Sequence, residues 1–261
     1  MAYAKVKYEL DGPVAVVTMS DPATLNAADP AMTHELHDAF ARAVKEARAI
    51  VLTGEGRGFS SGAALGGNTA PMGEDGQIDL GLALEKSYNP FVTYMRDLPI
   101  PLVTAVNGAA AGVGCSFALM GDMIIAAESA YFLQAFRRIG LVPDGSATYQ
   151  LPRMIGRARA MEMMLLGEKV PASKALEWGL INRCVPDAEL MPTAKAIALE
   201  LANGPRALGL IRRMAWDSLD ADWNAQLQRE RDLQREAGRT GDFAEGVQAF
   251  LQKRPAKFRG D

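Results

Sequence analysis

Two cysteines and two histidines are all that 261 residues contain of either type. Cys115 and Cys184 stand in unrelated contexts without a CxxC partner, which excludes a disulfide framework and a cysteine-rich metal site and reads as reduced thiols. His34 and His37 lie three residues apart with no third ligand and no HExxH pattern, so no metal centre is expected. Aromatic residues make up 7%, and no stripe of interleaved basic and aromatic residues runs through them. With 28 basic against 31 acidic residues and a pI near 5.6, the chain has no general attraction for nucleic acid or an anionic membrane. Gly121, Asp122 and Glu128 interrupt the longest apolar stretch, leaving no run of about 18 apolar residues to span a bilayer. Residues 1–8 lack the apolar core of a signal peptide, and neither a P-loop nor a dinucleotide fingerprint occurs. These absences predict a cytoplasmic protein with no nucleic-acid partner, no membrane segment and no bound nucleotide cofactor.

What is present is an ordinary globular balance, 49% hydrophobic and 23% charged, on a chain long enough for one large domain or a domain with an appendage. Alternation over Val6–Leu10, a turn at Asp11-Gly12-Pro13 and the run Val14–Met19 predict a strand pair. Asp29-Pro30 reads as an N-cap followed by a first-turn proline, opening a helix to about Glu46 with Met32, Leu36, Ala39, Phe40 and Val44 near one face. Ala49–Thr53, Leu102–Val106, Met123–Ala127 and Ala130–Phe132 read as short strands, and Gly114–Met120 as an apolar helix. Strand, turn and helix recurring without exact repetition predict a layered α/β core. From Arg157 onwards the chain reads almost entirely as helices: Arg157–Leu166, Ser173–Trp178, Leu190–Asn203, Ala207–Leu219, Trp223–Ala237 and Asp242–Lys253. A boundary near residue 200 divides a core, 1–200, from a helical C-terminal region, 201–261, with too few buried positions to fold alone.

Three segments carry candidate chemistry. Phe59–Ala63 and Asn107–Gly114 are glycine-rich and can present bare backbone N–H groups to a ligand. Ile139–Gly145 is an apolar, buried-looking turn carrying one carboxylate, Asp144. One acid facing two backbone donors is the minimum equipment for moving a proton beside a thioester carbonyl. Taken singly, each glycine segment reads equally as a tight turn, and Pro143-Asp144-Gly145 as a turn tripeptide. Arg153, Arg157 and Arg159 read as a solvated helix face, and Met161, Met163 and Met164 as core or interface filler. Residues 66–79, rich in Gly, Pro, Asp and Asn, read as a mobile loop over a site; together with Leu84, Tyr88 and Phe91 they are expected to shape a pocket.

From Leu25-Asn26-Ala27 to Phe250–Arg254 these motifs, in this order and spacing, resemble the crotonase (enoyl-CoA hydratase/isomerase) superfamily. Ser87–Pro90, Gly156–Met161 and Glu177–Leu180 are similar to segments of its phenylacetate-pathway isomerase branch. The resemblance implies a spiral of ββα units with a C-terminal helical trimerisation region. It implies an acyl-CoA thioester substrate whose coenzyme A is part of the substrate, no separate cofactor, and a homotrimer or dimer of trimers.

It also assigns roles. The backbone N–H groups of Ala63 and Val113, freed by Gly62 and Gly112, form the oxyanion hole. Ala23, Thr24, Leu25 and Ala27 lie along the ligand's adenine and pantetheine, with Ala23 where a lysine is often found, and Ser61, Gly62, Gly112 and Phe136 are also assigned to substrate binding. Phe250 and Lys253 reach the nucleotide bound to a neighbouring subunit, and amphipathic packing with a solvated charge explains them equally well. The two glutamates of a family hydratase are replaced by Ser116 and Phe136, which argues against two-glutamate hydration. Asp144 stands where the isomerase branch carries its base, with Leu141, Val142 and Phe136 expected to enclose it and raise its pKa. Ala64 replaces the aspartate that usually follows the first oxyanion donor. The readings weighed are an enoyl-CoA isomerase with Asp144 as proton shuttle, an enoyl-CoA hydratase, an enzyme using Asp144 as nucleophile, and a non-catalytic acyl-CoA or RNA binder.

Overall fold

The computed structural model describes residues 3–64 and 71–261. Val6–Asp11 (β1) and Val14–Met19 (β2) form the antiparallel pair, turning at Gly12. Asp29 then caps helix α1 (Pro30–Glu46), its carboxylate accepting from Met32 N–H. Ala49–Gly54 (β3) and Leu102–Val106 (β5) are buried at every position, as strands covered on both faces must be. Between them lie Gly58–Ser60 (β4), Gly81–Ala83 (α2), a π-helical turn at Leu84–Tyr88, and Asn89–Arg96 (α3). Ala109–Ala111 (β6), Val113–Leu119 (α4), Met123–Ala127 (β7) and Tyr131–Leu133 (β8) follow.

Ala147–Leu166 (α5) comes next, then Val170–Pro171 (β9), Ala172–Glu177 (α6) and Arg183–Val185 (β10). Leu190–Ala202 (α7), Ala207–Ser218 (α8), Trp223–Ala237 (α9) and Gly241–Leu251 (α10) complete the chain. Two sheets result, ordered β1-β2-β3-β5-β7-β10 and β4-β6-β8-β9. Successive passes give one strand to the large sheet and the next to the small one: β3 then β4, β5 then β6, β7 then β8. The chain therefore winds as a spiral, parallel throughout except at β1–β2 and β8–β9. Helix α7 covers β3, β5 and β7, and α1 covers β1 and β2.

Three expectations need correction. The segment after Arg157 is not all helix, because β9 and β10 each add an edge strand. The helix expected from Arg157 is the second half of a longer element, α5, broken at Gly156 (φ 77°, ψ 158°). The two glycine segments are not merely loops, since β4 and β6 pair in the small sheet before the chain reaches Gly62 and Gly112. Of the 66–79 loop, 66–70 lie outside the described residues, and 71–80, exposed but for the half-buried Pro71 and Gly73, carry a bridge between Met72 and Ile78.

Candidate active site

The first wall of the site is residues 21–28, held against β4 by Asn26. Asn26 is fully buried in the left-handed region (φ 57°), a conformation asparagine tolerates better than most side chains. Its amide nitrogen donates to the carbonyls of Glu55 (3.0 Å), Gly58 (2.8 Å) and Phe59 (3.3 Å), and its Oδ1 accepts from Asp21 N–H (2.9 Å). Ser61 then fastens the neighbouring turn, N–H to Leu25 C=O (2.9 Å) and Oγ to Thr24 C=O (2.8 Å), while Ala27 N–H donates to Thr24 Oγ1 (3.2 Å). Thr24, Leu25, Ala27 and Ser61 therefore form one connected ledge, with Ala23 exposed at its outer end. Asn26→Ala is expected to lower stability by about 3 kcal/mol, since buried carbonyls and a strained backbone lose their partner, read as a lower denaturant midpoint at unchanged m-value.

The two donors come next. Ala28 forms a parallel bridge with Ala63: Ala28 N–H donates to Gly62 C=O (2.8 Å) and Ala64 N–H to Ala28 C=O (3.0 Å). That pairing turns the N–H of Ala63 to the opposite side of the strand, where it has no acceptor among the described residues. Val113 is the first residue of α4, so its N–H is one of the donors a helix leaves unpaired, at the positive end of the dipole. The two segments touch through glycine. A Cβ on Gly62 (φ 104°) would lie 2.9 Å from Ala111 O and 3.6 Å from Gly112 Cα, and one on Gly112 (φ 52°) would lie 3.7 Å from both Gly62 Cα and Phe136 Cζ. Both positions need positive φ and close approach.

Asp144 lies beside the start of α4. Its carbonyl accepts from Ser116 Oγ (2.9 Å) and Ala147 N–H (3.1 Å), which fixes the backbone. Gly145 presses on Val113 and Ser116, where an added Cβ would lie 3.0 Å from Val113 Cγ2 and 2.9 Å from Ser116 Cβ. The carboxylate is half-buried, and its Oδ1 is buried with no hydrogen-bond partner among the described residues. Burial pushes its pKa up to about 6. The enclosure differs from that expected: Leu141 and Val142 are exposed, Val142 by 79%, and Ile139 by 50%, so the turn is not buried and only Phe136 of the three is. The turn packs through Gly145 on the start of α4, and the Asp144 charge reaches Tyr88. Asp29, the other carboxylate whose charge reaches Tyr88, is engaged by Lys5 and by its cap to α1.

The structure thus gathers Ala63, Val113, Gly62, Gly112, Phe136, Asp144 and the ledge of Thr24, Leu25, Ala27 and Ser61. Phe250 (83% exposed) and Lys253 lie at and just past the exposed end of α10. Phe91 is not a pocket wall but core, stacked edge-on against Phe40 (5.4 Å) and Phe117 (5.2 Å). Asn26 and the hydroxyl of Tyr88 were missed by sequence reasoning; a polar residue inside an otherwise small-residue turn was the one available signal for Asn26.

The family model described as "Enoyl-CoA hydratase/isomerase" matches residues 9–261. The chain belongs to the enoyl-CoA hydratase/isomerase family. It is 46% identical over all of both chains to the "Probable enoyl-CoA hydratase" of Rhodobacter capsulatus. It is 43% identical to the 1,2-epoxyphenylacetyl-CoA isomerase of Escherichia coli over 95% of each. At 30% identity it matches the trans-2-decenoyl-[acyl-carrier-protein] isomerase of Streptococcus mutans, 100% of each chain being covered. Among solved structures, an enoyl-CoA hydratase subunit of Geobacillus kaustophilus superposes with a TM-score of 0.90, at 30% identity and 99% coverage of both chains. The crotonase fold is therefore shared from end to end, and the protein is a crotonase-family enzyme.

Proposed function

We propose that this enzyme is an enoyl-CoA isomerase that moves a 3-enoyl-CoA double bond, or one in a ring-derived acyl-CoA, to the 2-position. The observation that carries the reading is the carboxylate of Asp144, whose Oδ1 is buried with no hydrogen-bond partner among the described residues. By the family resemblance Ser116 and Phe136, neither of them an acid, stand at the positions of the two hydratase glutamates. The thioester oxygen takes hydrogen bonds from Ala63 and Val113 N–H, which stabilise the charge that develops there; one such donor typically contributes about 100–1000-fold in rate. Asp144 removes the C2 proton, and the released pair forms a C1–C2 double bond as the carbonyl π pair moves onto the thioester oxygen, giving a dienolate. As the carbonyl re-forms, the C1–C2 pair becomes the C2–C3 double bond and the C3–C4 π pair takes the proton back at C4 from the same carboxyl. Net charge and atoms are unchanged, so no cofactor beyond the substrate's coenzyme A is required. Thr24, Leu25, Ala27, Ser61 and the exposed Ala23 line the coenzyme A path, and Phe250 and Lys253 complete it from a neighbouring subunit of a homotrimer or dimer of trimers. The names of the Escherichia coli and Streptococcus mutans relatives, both isomerases of acyl thioesters, support this reading.

The base must be ionised, so kcat/KM is expected to rise about tenfold per pH unit below about pH 6 and to level above it, following the raised Asp144. A profile flat from pH 5 to 8 contradicts that assignment. Isotope transfer tests the reaction itself. A 3-enoyl-CoA deuterated at C2 is expected to give a 2-enoyl product with part of the label at C4. An unreacted 3-enoyl-CoA, with a separately supplied 2-enoyl-CoA taking up solvent oxygen at C3, instead supports hydration, the activity in the name of the Rhodobacter capsulatus relative.

A further inference from the structure

We infer that Tyr88 is a positioning residue, a strut that ties the segment bearing Ala63 to the helix bearing Val113 and so sets the spacing of the two donors. The inference rests on the oxyanion-hole reading above. The tyrosine closes a π-helical turn, Leu84–Tyr88, a geometry concentrated at functional sites. It is 5% exposed, and its hydroxyl donates to Ala28 C=O at 2.7 Å. That carbonyl also accepts from Ala64 N–H, and Ala28 N–H holds Gly62 C=O. The phenol therefore bonds the one residue whose two ladder bonds aim Ala63 N–H.

At its other end the ring faces Phe117 of α4 with centroids 6.4 Å apart, and Phe117 stacks on Phe91, which stacks on Phe40 of α1. Helix α4 also carries Ser116, whose hydroxyl holds the Asp144 backbone. A movement of Tyr88 therefore shifts Ala63, Val113 and Asp144 relative to one another. Burial, then the negative charges of Asp144 and Asp29, push the phenol up to about 12, so it remains a donor throughout the working pH range and cannot replace Asp144 as the shuttle.

Tyr88→Phe keeps the ring and removes the hydroxyl. Ala28 C=O retains Ala64 N–H, so the variant is expected to fold with little change in Tm. The readout is the carbonyl stretch of a bound, unreactive, carbon-13-labelled acyl-CoA thioester, which reports hydrogen bonding to that oxygen directly. In the wild type it is expected well below its frequency in water, and in Tyr88→Phe shifted back towards it. Turnover is expected to fall about tenfold at a KM changed by less than about twofold, less than the 100–1000-fold of deleting a donor. Phe117→Leu, which loosens the other end of the strut, is expected to move the stretch in the same direction. A shifted wild-type carbonyl with the same shift in both variants overturns the role of Tyr88 and leaves the oxyanion hole intact. No shift in the wild type overturns the oxyanion hole, and this inference with it.

Discussion

Asp144→Asn is expected to bind acyl-CoA normally and to lose about 1000-fold in turnover, the middle of the range that positioned acid–base groups contribute. The variant is isosteric, and its backbone is held by Ser116 Oγ and Ala147 N–H, neither of which touches the side chain. Ligand contacts on the ledge of Thr24–Ala27 are also unaffected, so the loss falls on kcat and kcat/KM together, the mark of an interaction made in the transition state. Stability moves the other way. Burial raises the folded-state pKa from 3.8 to about 6, so the folded state resists ionising this group. The penalty is absent below about pH 4, grows as the pH passes from 4 to 6, and is complete above. Discounted for solvent screening of a half-exposed group, it amounts to about 1–2 kcal/mol at pH 7.5. The variant should therefore melt higher than the wild type at pH 7.5 and together with it at pH 4. An active Asp144→Asn enzyme excludes the carboxylate as shuttle.

The largest stability effect is expected at Arg212→Met, at about 3–5 kcal/mol. Arg212 is 5% exposed, and its guanidinium spans four acceptors: Asp122 Oδ2 (2.7 Å) and the carbonyls of Met95 (2.5 Å), Arg96 (2.5 Å) and Leu98 (3.0 Å). The carbonyls of Met95 and Arg96 end α3, where a helix leaves its acceptors unpaired and its dipole favours a cation. Asp122 in turn accepts from Leu102 N–H at the first residue of β5. One side chain from α8 therefore seals the end of α3 and the start of a central strand. Burial already raises Asp122 despite the arginine beside it. Without the arginine a carboxyl group and three carbonyls are left in the interior. A fall in Tm of roughly 6–20 °C follows for a chain of this size. Arg212→Met combined with Asp122→Asn should recover part of it, because the uncompensated acid is then gone.

The parts of the fold legible in the sequence are those whose burial is continuous or whose ends are capped. β3 announces itself by Ala49–Leu52 and β5 by Leu102–Val106, apolar but for Thr104, and α1 by Asp29-Pro30 at its start. Strands β4 and β6 of the small sheet were not legible, because they are three residues each and built, apart from Phe59, of Gly, Ser and Ala, and they pair with each other across about 50 positions. Residues 139–142 show the converse error: they are apolar yet exposed, since hydrophobicity does not say which surface covers a side chain. Within the candidate site, Gly62 and Gly112 were legible as points of close approach. Asp144 reads as an ordinary turn residue until its likeness to the isomerase branch is noticed. Tyr88 reads only as a pocket residue, and its hydrogen bond, like those of Asn26, was not legible, because both depend on carbonyls brought to them only by the spiral winding.

The most direct test of the account is the absorbance of the conjugated thioester with a 3-enoyl-CoA and a 2-enoyl-CoA supplied separately. Isomerisation by Asp144 predicts rising absorbance with the 3-enoyl substrate and none of the fall that loss of conjugation would give with the 2-enoyl substrate. A falling signal with the 2-enoyl substrate, and none with the 3-enoyl, would mean that the enzyme hydrates without a second carboxylate and would contradict the account.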